Sequence, residues 1–426
     1  KKAVVFVWGL NRLCSGNFPA PIFLDGLDES LVYSIREINK LARDLEAASG
    51  VKFIHMEMGN PGLPAVQAGV EAQIKALQDG VAATYPPIDG VPAVKKEASR
   101  FIKNFLDLDV DAANCIPTVG SMQGAFASFM ICGHTNKEKD TVLFIDPGFP
   151  VHKFQTKILG LKMESFDIYE YRGEKLREKL ESIFSTGKIH SVLYSNPNNP
   201  TWVCLTDEEL KIIGELANKY DVIILEDLAY FGMDFRKDYS HPGVAPFQPT
   251  VGKYTDNYIL MLSTSKAFSY AGERCAVLGI SNKLAERRYP DLKEFCGQEI
   301  FARGIIFGAL HPLSSGTSHS AQYAVAGVLK AVNDGTYNYR EDVLEYGHKA
   351  KMMKNAFTSN GFKFTYDEDL GEPIADGFYF TYYYPGFTGA ELLEKMLYYG
   401  ISAISLDTCG STRQGIRACT SLIQRD

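Results

Sequence analysis

Hydrophobic residues follow two different patterns along this chain. Between residues 28 and 48 they recur at every third or fourth position, which predicts an amphipathic helix that Gly50 ends. From about residue 66, short continuous apolar runs alternate with amphipathic stretches such as residues 207–220. The runs predicted as strands span residues 141–145, 191–194, 222–225, 259–262 and 276–280. Apolar strands separated by helices indicate an α/β domain whose mainly parallel sheet is covered by helices on both faces.

The pattern changes after about residue 310. A long helical segment is predicted from about residue 318 to 359, with a break around Gly335. Extended, aromatic-rich residues 378–384 follow, and then a short helix with Thr388 as its N-cap and Tyr399 near its end. We therefore predict a large domain over residues 66–310, and a smaller α/β domain built from residues 1–65 and 311–426 that includes the long connecting helix. The aromatic side chains of 378–384 are typical of alternating sheet packing.

Composition and charge argue against several classes of function. The 426 residues suffice for two domains, are 46% hydrophobic and include no apolar run long enough to cross a membrane. A net charge of −7 and a pI near 5.7 argue against nucleic acid as a partner. The eight cysteines form no CxxC pair and the eight histidines have no metal-binding spacing. This favours buried thiols in a reducing compartment, and it predicts no metal site.

The N-terminal stretch from Lys1 to Trp8 combines a basic start with a few apolar residues. Arg12 interrupts the apolar stretch, and no small-residue cleavage site follows. We interpret this stretch as folded chain, with a targeting remnant as the alternative, and expect a cytoplasmic protein.

Residues 263–268, Ser-Thr-Ser-Lys-Ala-Phe, carry unusual local chemistry. They follow an apolar run at 258–262, and Arg274 lies eight positions beyond Lys266. Partial burial of a lysine favours its neutral amine, which can attack a carbonyl. Hydroxyl groups and an arginine are what a phosphate needs. A molecule with an aldehyde at one end and a phosphate at the other is pyridoxal phosphate, the cofactor that we predict.

Polar residues at other strand ends fit the same cofactor, because ligands of an open α/β sheet bind beyond the carboxyl ends of its strands. Asp227 can keep the pyridine nitrogen protonated, and Asn199 and Tyr230 can donate to the phenolate oxygen. Phe149 offers an aromatic plane for the ring. Ser121 lies in the turn 120–124 that opens a predicted helix, where a hydroxyl and free backbone N–H groups suit a phosphate.

Three motifs occur in a fixed order: Asn-Pro-Asn-Asn-Pro-Thr at 196–201, Asp-Leu-Ala-Tyr at 227–230, and Ser-Thr-Ser-Lys at 263–266 with Arg274 beyond it. This ordered set resembles the class I/II aminotransferases, pyridoxal-phosphate enzymes of fold type I, over most of the chain. Upstream, Tyr85 and its two prolines resemble the family segment that reaches the phosphate of the neighbouring subunit. Downstream, Gly415-Ile416-Arg417 resembles the arginine that grips the substrate α-carboxylate.

The resemblance implies a large domain with a mainly parallel, seven-stranded-type sheet, a smaller α/β domain and a homodimer. It implies that Lys266 carries the cofactor as a Schiff base and acts as general base, with Asp227 and Tyr230 in the catalytic set. Phe149 would stack on the ring, and Asn199 would contact the phenolate oxygen and, with Arg417, the substrate. The phosphate ligands would be Ser121, Met122, Gln123, Ser263, Ser265, Arg274 and Tyr85 of the neighbouring subunit, with Met122 and Gln123 acting through their backbones.

The chain departs from the family pattern at two positions. Trp202 stands where the family usually has glycine, so the loop differs, and the indole either shapes the pocket or packs in the core. His311 stands near the place of an arginine in aspartate-specific members, which argues against strong dicarboxylate specificity. Arg413 is a nearby rival for the role of Arg417.

The resemblance implies transfer of an amino group between an amino acid and a 2-oxo acid. The alternative on the same scaffold is a carbon–sulfur lyase or a decarboxylase, because the motifs serve the cofactor and not the reaction. A non-catalytic pyridoxal-phosphate sensor domain is less favoured, since no basic helix-turn-helix segment precedes the domain.

Overall fold

The computed structural model describes residues 34–425. The predicted start of the first helix at 28–33, the N-terminal stretch from Lys1 to Trp8 and Cys14 lie outside the described residues. The chain divides into two compact units. The large unit comprises residues 63–198 and 204–343, and the small unit includes residues 34–62, 199–203 and 344–425. The domain limits predicted at residues 65 and 310 stay predictions.

The first described helix belongs to the small unit. Helix α1 (Ile35–Ser49) begins at a capping box in which Ser34 and Glu37 each bond the other's backbone N–H. It ends at Gly50, whose φ of 70° is the left-handed conformation of a helix C-cap, so the predicted stop is confirmed. Strand β1 (Ile54–His55) follows.

A seven-stranded sheet forms the centre of the large unit. Its strands are β2 (Cys115–Val119), β3 (Thr141–Asp146), β4 (Lys162–Asp167), β5 (Ile189–Ser195), β6 (Ile223–Asp227), β7 (Tyr258–Ser263) and β8 (Cys275–Ile280). Their spatial order is β2-β8-β7-β6-β5-β3-β4. The pairs from β4 to β7 are parallel, and β8 runs antiparallel to both of its neighbours. The predicted mainly parallel sheet is confirmed.

Helices connect and cover these strands. They are α2 (Gln67–Gln78), α3 (Pro92–Leu106), α4 (Gly120–Cys132), α5 (Pro150–Ile158), α6 (Glu174–Phe184), α7 (Asp207–Tyr220), α8 (Asn282–Glu286), α9 (Pro290–Cys296), α10 (Phe301–Arg303) and α11 (His311–Ser314), with a π-helix at Gly304–Leu310. One core cluster joins the sheet to α4, through residues such as Phe129, Leu225 and Met261. Within the described residues, no helix is long and apolar enough to cross a membrane.

The long helical segment is broken where the sequence predicts. Helix α12 (His319–Asn333) packs on α2 and α3, and α13 (Tyr339–Ser359) follows after Gly335, which has a φ of 67°. Such a left-handed backbone suits glycine and ends the first helix.

The rest of the small unit contains a four-stranded sheet, two two-stranded sheets and a further helix. Its remaining elements are β9 (Lys363–Phe364), β10 (Glu368–Asp369), β11 (Glu372–Pro373), β12 (Tyr379–Tyr383), α14 (Gly389–Tyr398), β13 (Ile401–Ser402), β14 (Ile404–Ser405) and β15 (Ile416–Cys419). The sheet order is β14-β15-β12-β9, β1 pairs with β13, and β10 pairs with β11. Thr388 caps α14, as predicted.

The two faces of the β12–β15 pair differ in character. Phe380, Tyr382, Ile416 and Ala418 belong to the small-unit core, in agreement with the predicted alternating packing. Tyr379 and Arg417 lie on the opposite face, since neighbouring residues of a strand point to opposite sides. One face of this sheet therefore holds the core and the other holds a buried arginine.

Candidate active site

Lys266 lies in a tight turn at the carboxyl end of β7. The turn is held to the start of β8, because Thr264 Oγ1 donates to the carbonyl of Cys275 at 2.7 Å. Ser263 Oγ accepts the backbone N–H of Ser265 at 3.2 Å. Lys266 is half-buried, whereas Ser263 is 8% exposed. The lysine and both serines predicted to serve the cofactor are therefore presented by one short turn.

Asp227 ends the neighbouring strand β6. It is paired in register with Met261 of β7, two residues before Ser263, so the two strand ends lie side by side. Its Oδ1 accepts the backbone N–H of Ala229 at 3.0 Å, and burial raises the pKa of its carboxyl to about 7. Tyr230 is buried in the turn that follows. An ionised carboxylate at this place is costly unless a positive group faces it, and a protonated pyridine nitrogen is such a group.

The predicted phosphate ligands Ser121 and Arg274 meet at the N-terminus of α4. Gly120 has a φ of 66°, and a Cβ on it would stand 2.7 Å from Nη2 of Arg274. Arg274 is exposed and donates through Nη1 to the carbonyl of Ala271 at 2.8 Å. Ser121 Oγ is buried and has no hydrogen-bond partner among the described residues. A free hydroxyl, an arginine and a helix N-terminus fit a phosphate group.

The side chains of the next two residues have other contacts. Gln123 Oε1 accepts the backbone N–H of Val119 at 2.8 Å, and its Nε2 donates to Ser314 Oγ at 2.7 Å. Met122 is exposed, and its carbonyl accepts from Gln155 Nε2 at 2.7 Å. The backbone N–H groups of both residues belong to the first turn of α4, which agrees with a backbone role.

Phe149 directly precedes α5 and contacts a histidine that sequence reasoning missed. Its ring lies edge-on to that of His152, with the ring centroids 5.4 Å apart. His152 is 3% exposed, burial lowers the pKa of its imidazole to about 4, and its Nδ1 has no partner within the described part of the chain. The sequence signal that could have identified His152 is its spacing of three residues from Phe149, which places both side chains on the same side of the helix start.

Tyr85 is a predicted cofactor ligand that no described contact joins to Lys266, Asp227 or Arg274. Its side chain is 94% exposed, in the loop that follows a short 3₁₀ turn at Val81–Ala83. This exposure leaves the phenol accessible to a second subunit.

Arg417 and Asn199 meet in the small unit. Arg417 is 1% exposed, and its Nη1 donates to Asn199 Oδ1 at 3.2 Å. Its Nη2 donates to the carbonyl of Glu57, and its guanidinium lies over the ring of Tyr379 at 4.5 Å. Its rival Arg413 is half-buried and lies over Tyr366 at 5.6 Å.

Sequence reasoning missed the ionisable cluster next to Arg417. Glu57 has a fully buried carboxylate, which accepts from Asn39 Nδ2 at 2.6 Å and from Ser402 Oγ. His55 lies 2.9 Å from Glu57 and 3.1 Å from Glu46. The cluster joins α1 and the residues at and after β1 to Ser402 of β13, which lies 345 positions beyond Glu57, and no local motif marks it.

Trp202 is fully buried and has a φ of 64°. The left-handed backbone that the family's glycine would adopt easily is therefore present here with a tryptophan. The indole packs against Gly377 and Tyr379, which agrees with the packing interpretation. His311 is exposed at the start of α11.

Comparisons with known proteins identify the family of this chain. The model of the family "Aminotransferase class I and II" matches residues 51–369. The chain is 29% identical to a probable aspartate aminotransferase of Methanocaldococcus jannaschii over 59% of this chain and 61% of that protein. It is 28% identical to the glutamate-pyruvate aminotransferase AlaC of Escherichia coli over 71% and 69%. The chain thus spans less than two thirds of the first relative.

Solved structures share the fold. An aminotransferase from Mycobacterium tuberculosis superposes with a TM-score of 0.74 at 16% identity, covering 94% of this chain and 95% of that one. The alanine aminotransferase from Pyrococcus furiosus has a TM-score of 0.72 at 19% identity, covering 92% and 93%. Because the family model covers most of the sequence, the chain belongs to the class I and II aminotransferase family, whose cofactor is pyridoxal phosphate.

Proposed function

We propose that this protein is an aminotransferase that moves an amino group between an amino acid and a 2-oxo acid. The observation that carries the proposal is the pair of neighbouring strand ends, with Asp227 at the end of β6 and the Lys266 turn at the end of β7. A buried carboxyl beside a lysine turn suits a cofactor that needs one group for its ring nitrogen and another for its aldehyde.

The cofactor would be held at both of its ends. The proposed phosphate ligands within this chain are the side chains of Ser121, Ser263, Ser265 and Arg274 and the first backbone N–H groups of α4, including those of Met122 and Gln123. Tyr85 of a second subunit would complete the set. We propose that Asp227 bonds the ring nitrogen and that Phe149 stacks on the ring face. Tyr230 and Asn199 would bond the phenolate oxygen. When bound, pyridoxal phosphate supplies an electron sink for the charge left on the substrate carbon.

The residues of the chain would do the rest. The Lys266 amine would bind the cofactor covalently, and once displaced by substrate it would take the proton from the substrate Cα. Arg417 would bind the substrate carboxylate through its planar guanidinium, with Asn199 fixing one edge of that group. The buried Asp227 carboxylate would keep the ring nitrogen protonated.

The substrate pair stays open because the relatives differ. Their names include aspartate, glutamate–pyruvate and LL-diaminopimelate aminotransferases. A homodimer is proposed from the exposure of Tyr85, which sedimentation of the purified protein would test. The cytoplasm is the proposed compartment, supported by the described cysteines, which are all free thiols.

A half-reaction screen tests the proposal. The cofactor-loaded protein is mixed with each amino acid in turn, and loss of the absorbance of the covalently held cofactor is followed together with release of a 2-oxo acid. At least one amino acid should give both signals, and an added 2-oxo acid should restore the absorbance. Pyruvate and ammonia from a cysteine-like substrate, with no acceptor required, would instead identify a lyase.

The Lys266→Ala variant tests the lysine itself. It should lose covalent attachment, measured as the mass gained after borohydride reduction, and turnover should fall by at least about 10³-fold. Lys283→Ala is a matched control, since Lys283 has a 78% exposed side chain in an ion pair with Asp256. Retention of both properties in the Lys266→Ala variant would contradict the assignment.

A further inference from the structure

Trp202 and Gly377 fit each other closely. A Cβ on Gly377 would stand 2.1 Å from Cε2 of the indole and 2.3 Å from its Nε1, so the ring lies directly against the glycine backbone. Trp202 is among the largest side chains that are fully buried in the described residues. Only glycine at position 377 leaves room for an indole at position 202.

The next contact leads from Trp202 to Tyr379. Tyr379 follows Gly377 by two residues and begins β12. Its ring centroid lies 6.3 Å from that of Trp202, with the rings inclined at 70°, which is a favourable edge-on arrangement.

Tyr379 in turn supports the guanidinium of Arg417. The pairing of Tyr379 with Cys419 and of Thr381 with Arg417 makes Tyr379 and Arg417 diagonal neighbours on one face of the sheet. The guanidinium carbon lies 4.5 Å from the ring centroid, within the range of a cation–π contact. Asn199, three residues before Trp202, accepts from Nη1 of the same guanidinium.

We infer that Trp202 is a positioning residue for Arg417, acting through Tyr379. The segment 199–203 thus fixes the position of the guanidinium in two ways. The Asn199 amide bonds one edge of it, and Trp202 supports the Tyr379 ring that lies against its face. The inference rests on the proposed function, because it concerns how Arg417 receives the substrate carboxylate. It accounts for a tryptophan at a left-handed backbone position that glycine would occupy without strain.

A purely structural role would give a different result. If Trp202 only filled the core, its loss would lower stability without changing how well a carboxylate binds compared with an uncharged probe of similar shape. If it positions Arg417, the carboxylate should lose affinity selectively.

The experiment measures binding of propionate and of propionamide to the cofactor-loaded protein by isothermal titration calorimetry. Trp202→Gly relaxes the backbone and removes the indole, and Trp202→Phe keeps a ring should the glycine variant fail to fold. Phe362→Leu is the matched control, because Phe362 lies in the small-unit core and packs on Phe357 and Tyr382. Cofactor absorbance checks the integrity of each variant.

We expect the Trp202 variants to weaken propionate binding about three- to tenfold and to leave propionamide nearly unchanged, with KM raised more than kcat is lowered. Equal effects on both probes, or an effect no larger than that of Phe362→Leu, would overturn the inference. The Arg417→Lys variant distinguishes failure of the proposed function from failure of the inference. If it does not weaken propionate binding, Arg417 does not bind the carboxylate, and both the proposed role and the inference fail. If it does and Trp202→Phe and Trp202→Gly do not, only the inference fails.

Discussion

The guanidinium of Arg274 lies 2.7 Å from the point where a Cβ would stand on Gly120. Gly120 therefore serves two purposes. It supplies a φ of 66° at the start of α4, and it lets the arginine approach the free N–H groups of that helix. A positive side chain and a helix N-terminus therefore lie together, which is the arrangement that we propose for the phosphate.

Replacing Gly120 with alanine should weaken cofactor binding. The added methyl group would strain the left-handed backbone and push Arg274 away from the phosphate, so we expect the cofactor dissociation constant to rise about tenfold or more. Titration of the cofactor-free protein with pyridoxal phosphate, followed by absorbance, measures this. Gly272→Ala is the control, since a Cβ there meets nothing within 4 Å. Equal affinities of the two variants for pyridoxal phosphate would show that Gly120 has no special role in phosphate binding.

Removing the charge of Asp227 should stabilise the cofactor-free protein. A pKa of about 7 against the usual 3.8 corresponds to a penalty of about 4 kcal/mol on the ionised, buried carboxylate. Because the folded pKa is raised, the folded protein binds more protons than the unfolded chain from about pH 3.8 to about pH 7, and stability falls as pH rises through this range. Asp227→Asn should therefore raise the free energy of unfolding by up to about 4 kcal/mol at pH 8, and by less at pH 5.

Chemical denaturation of the cofactor-free variants at the two pH values measures this difference. The exposed Asp109, changed to Asn, serves as control. The same Asp227→Asn variant should bind pyridoxal phosphate more weakly, because the ring nitrogen loses its charged partner. A variant that is less stable than the original protein at pH 8 would show that the carboxylate supports the fold without cofactor.

The sequence predicted the large unit well because its signals are local. Helix α7 begins and ends at the predicted residues, since Thr206 and Glu209 form a capping box before its apolar stripe. The central strands are continuous apolar runs with both faces buried. The edge strand β4 escaped prediction, because its first four residues are exposed and lack such a run. The polar residues at the ends of β6 and β7 could be predicted for a related reason, since strand ends locate ligands in this architecture.

The small unit was harder to predict because its contacts join distant residues. Glu57 and Ser402 are bonded across 345 positions, and neither belongs to a motif. The departure at Trp202 was visible in the sequence, but the glycine that accommodates it, Gly377, is recognised only from the packing. Local sequence patterns predict secondary structure and strand ends, whereas the contact between Trp202 and Gly377 depends on the tertiary fold.

Changing Arg417 to lysine should impair substrate binding more than catalysis. Lysine keeps the charge but loses the planar fork that can bond a carboxylate, Asn199 and the Glu57 carbonyl together. We expect KM for both the amino acid and the 2-oxo acid to rise about tenfold or more, a loss of about 1.5–3 kcal/mol. Steady-state kinetics of the reaction found by the screen measures this. Arg413→Lys is the control, and a larger effect at position 413 would transfer the role to that residue.

His55 should stabilise the protein in a pH-dependent way. Burial alone would lower the pKa of its imidazole, but hydrogen bonds and charges from Glu57 and Glu46 outweigh burial and raise it. A raised pKa means that the stabilisation is complete below the ordinary value of 6.5 and is lost as pH rises through the higher, folded-state value. His55→Gln should therefore lower stability by roughly 0.5–1 kcal/mol more at pH 6 than at pH 9, the range of partly exposed ion pairs.

Thermal unfolding of both proteins at the two pH values gives the comparison. His241→Gln is a suitable control, because His241 has a 60% exposed side chain and only a long contact of 3.4 Å with Asp238. Because its side chain is mostly exposed, this variant should change stability only slightly. Since the Glu57 carbonyl accepts from Arg417, KM of His55→Gln should also rise at pH 6 relative to the original protein. An equal loss of stability at pH 6 and pH 9 would mean that His55 acts through packing and not through its charge.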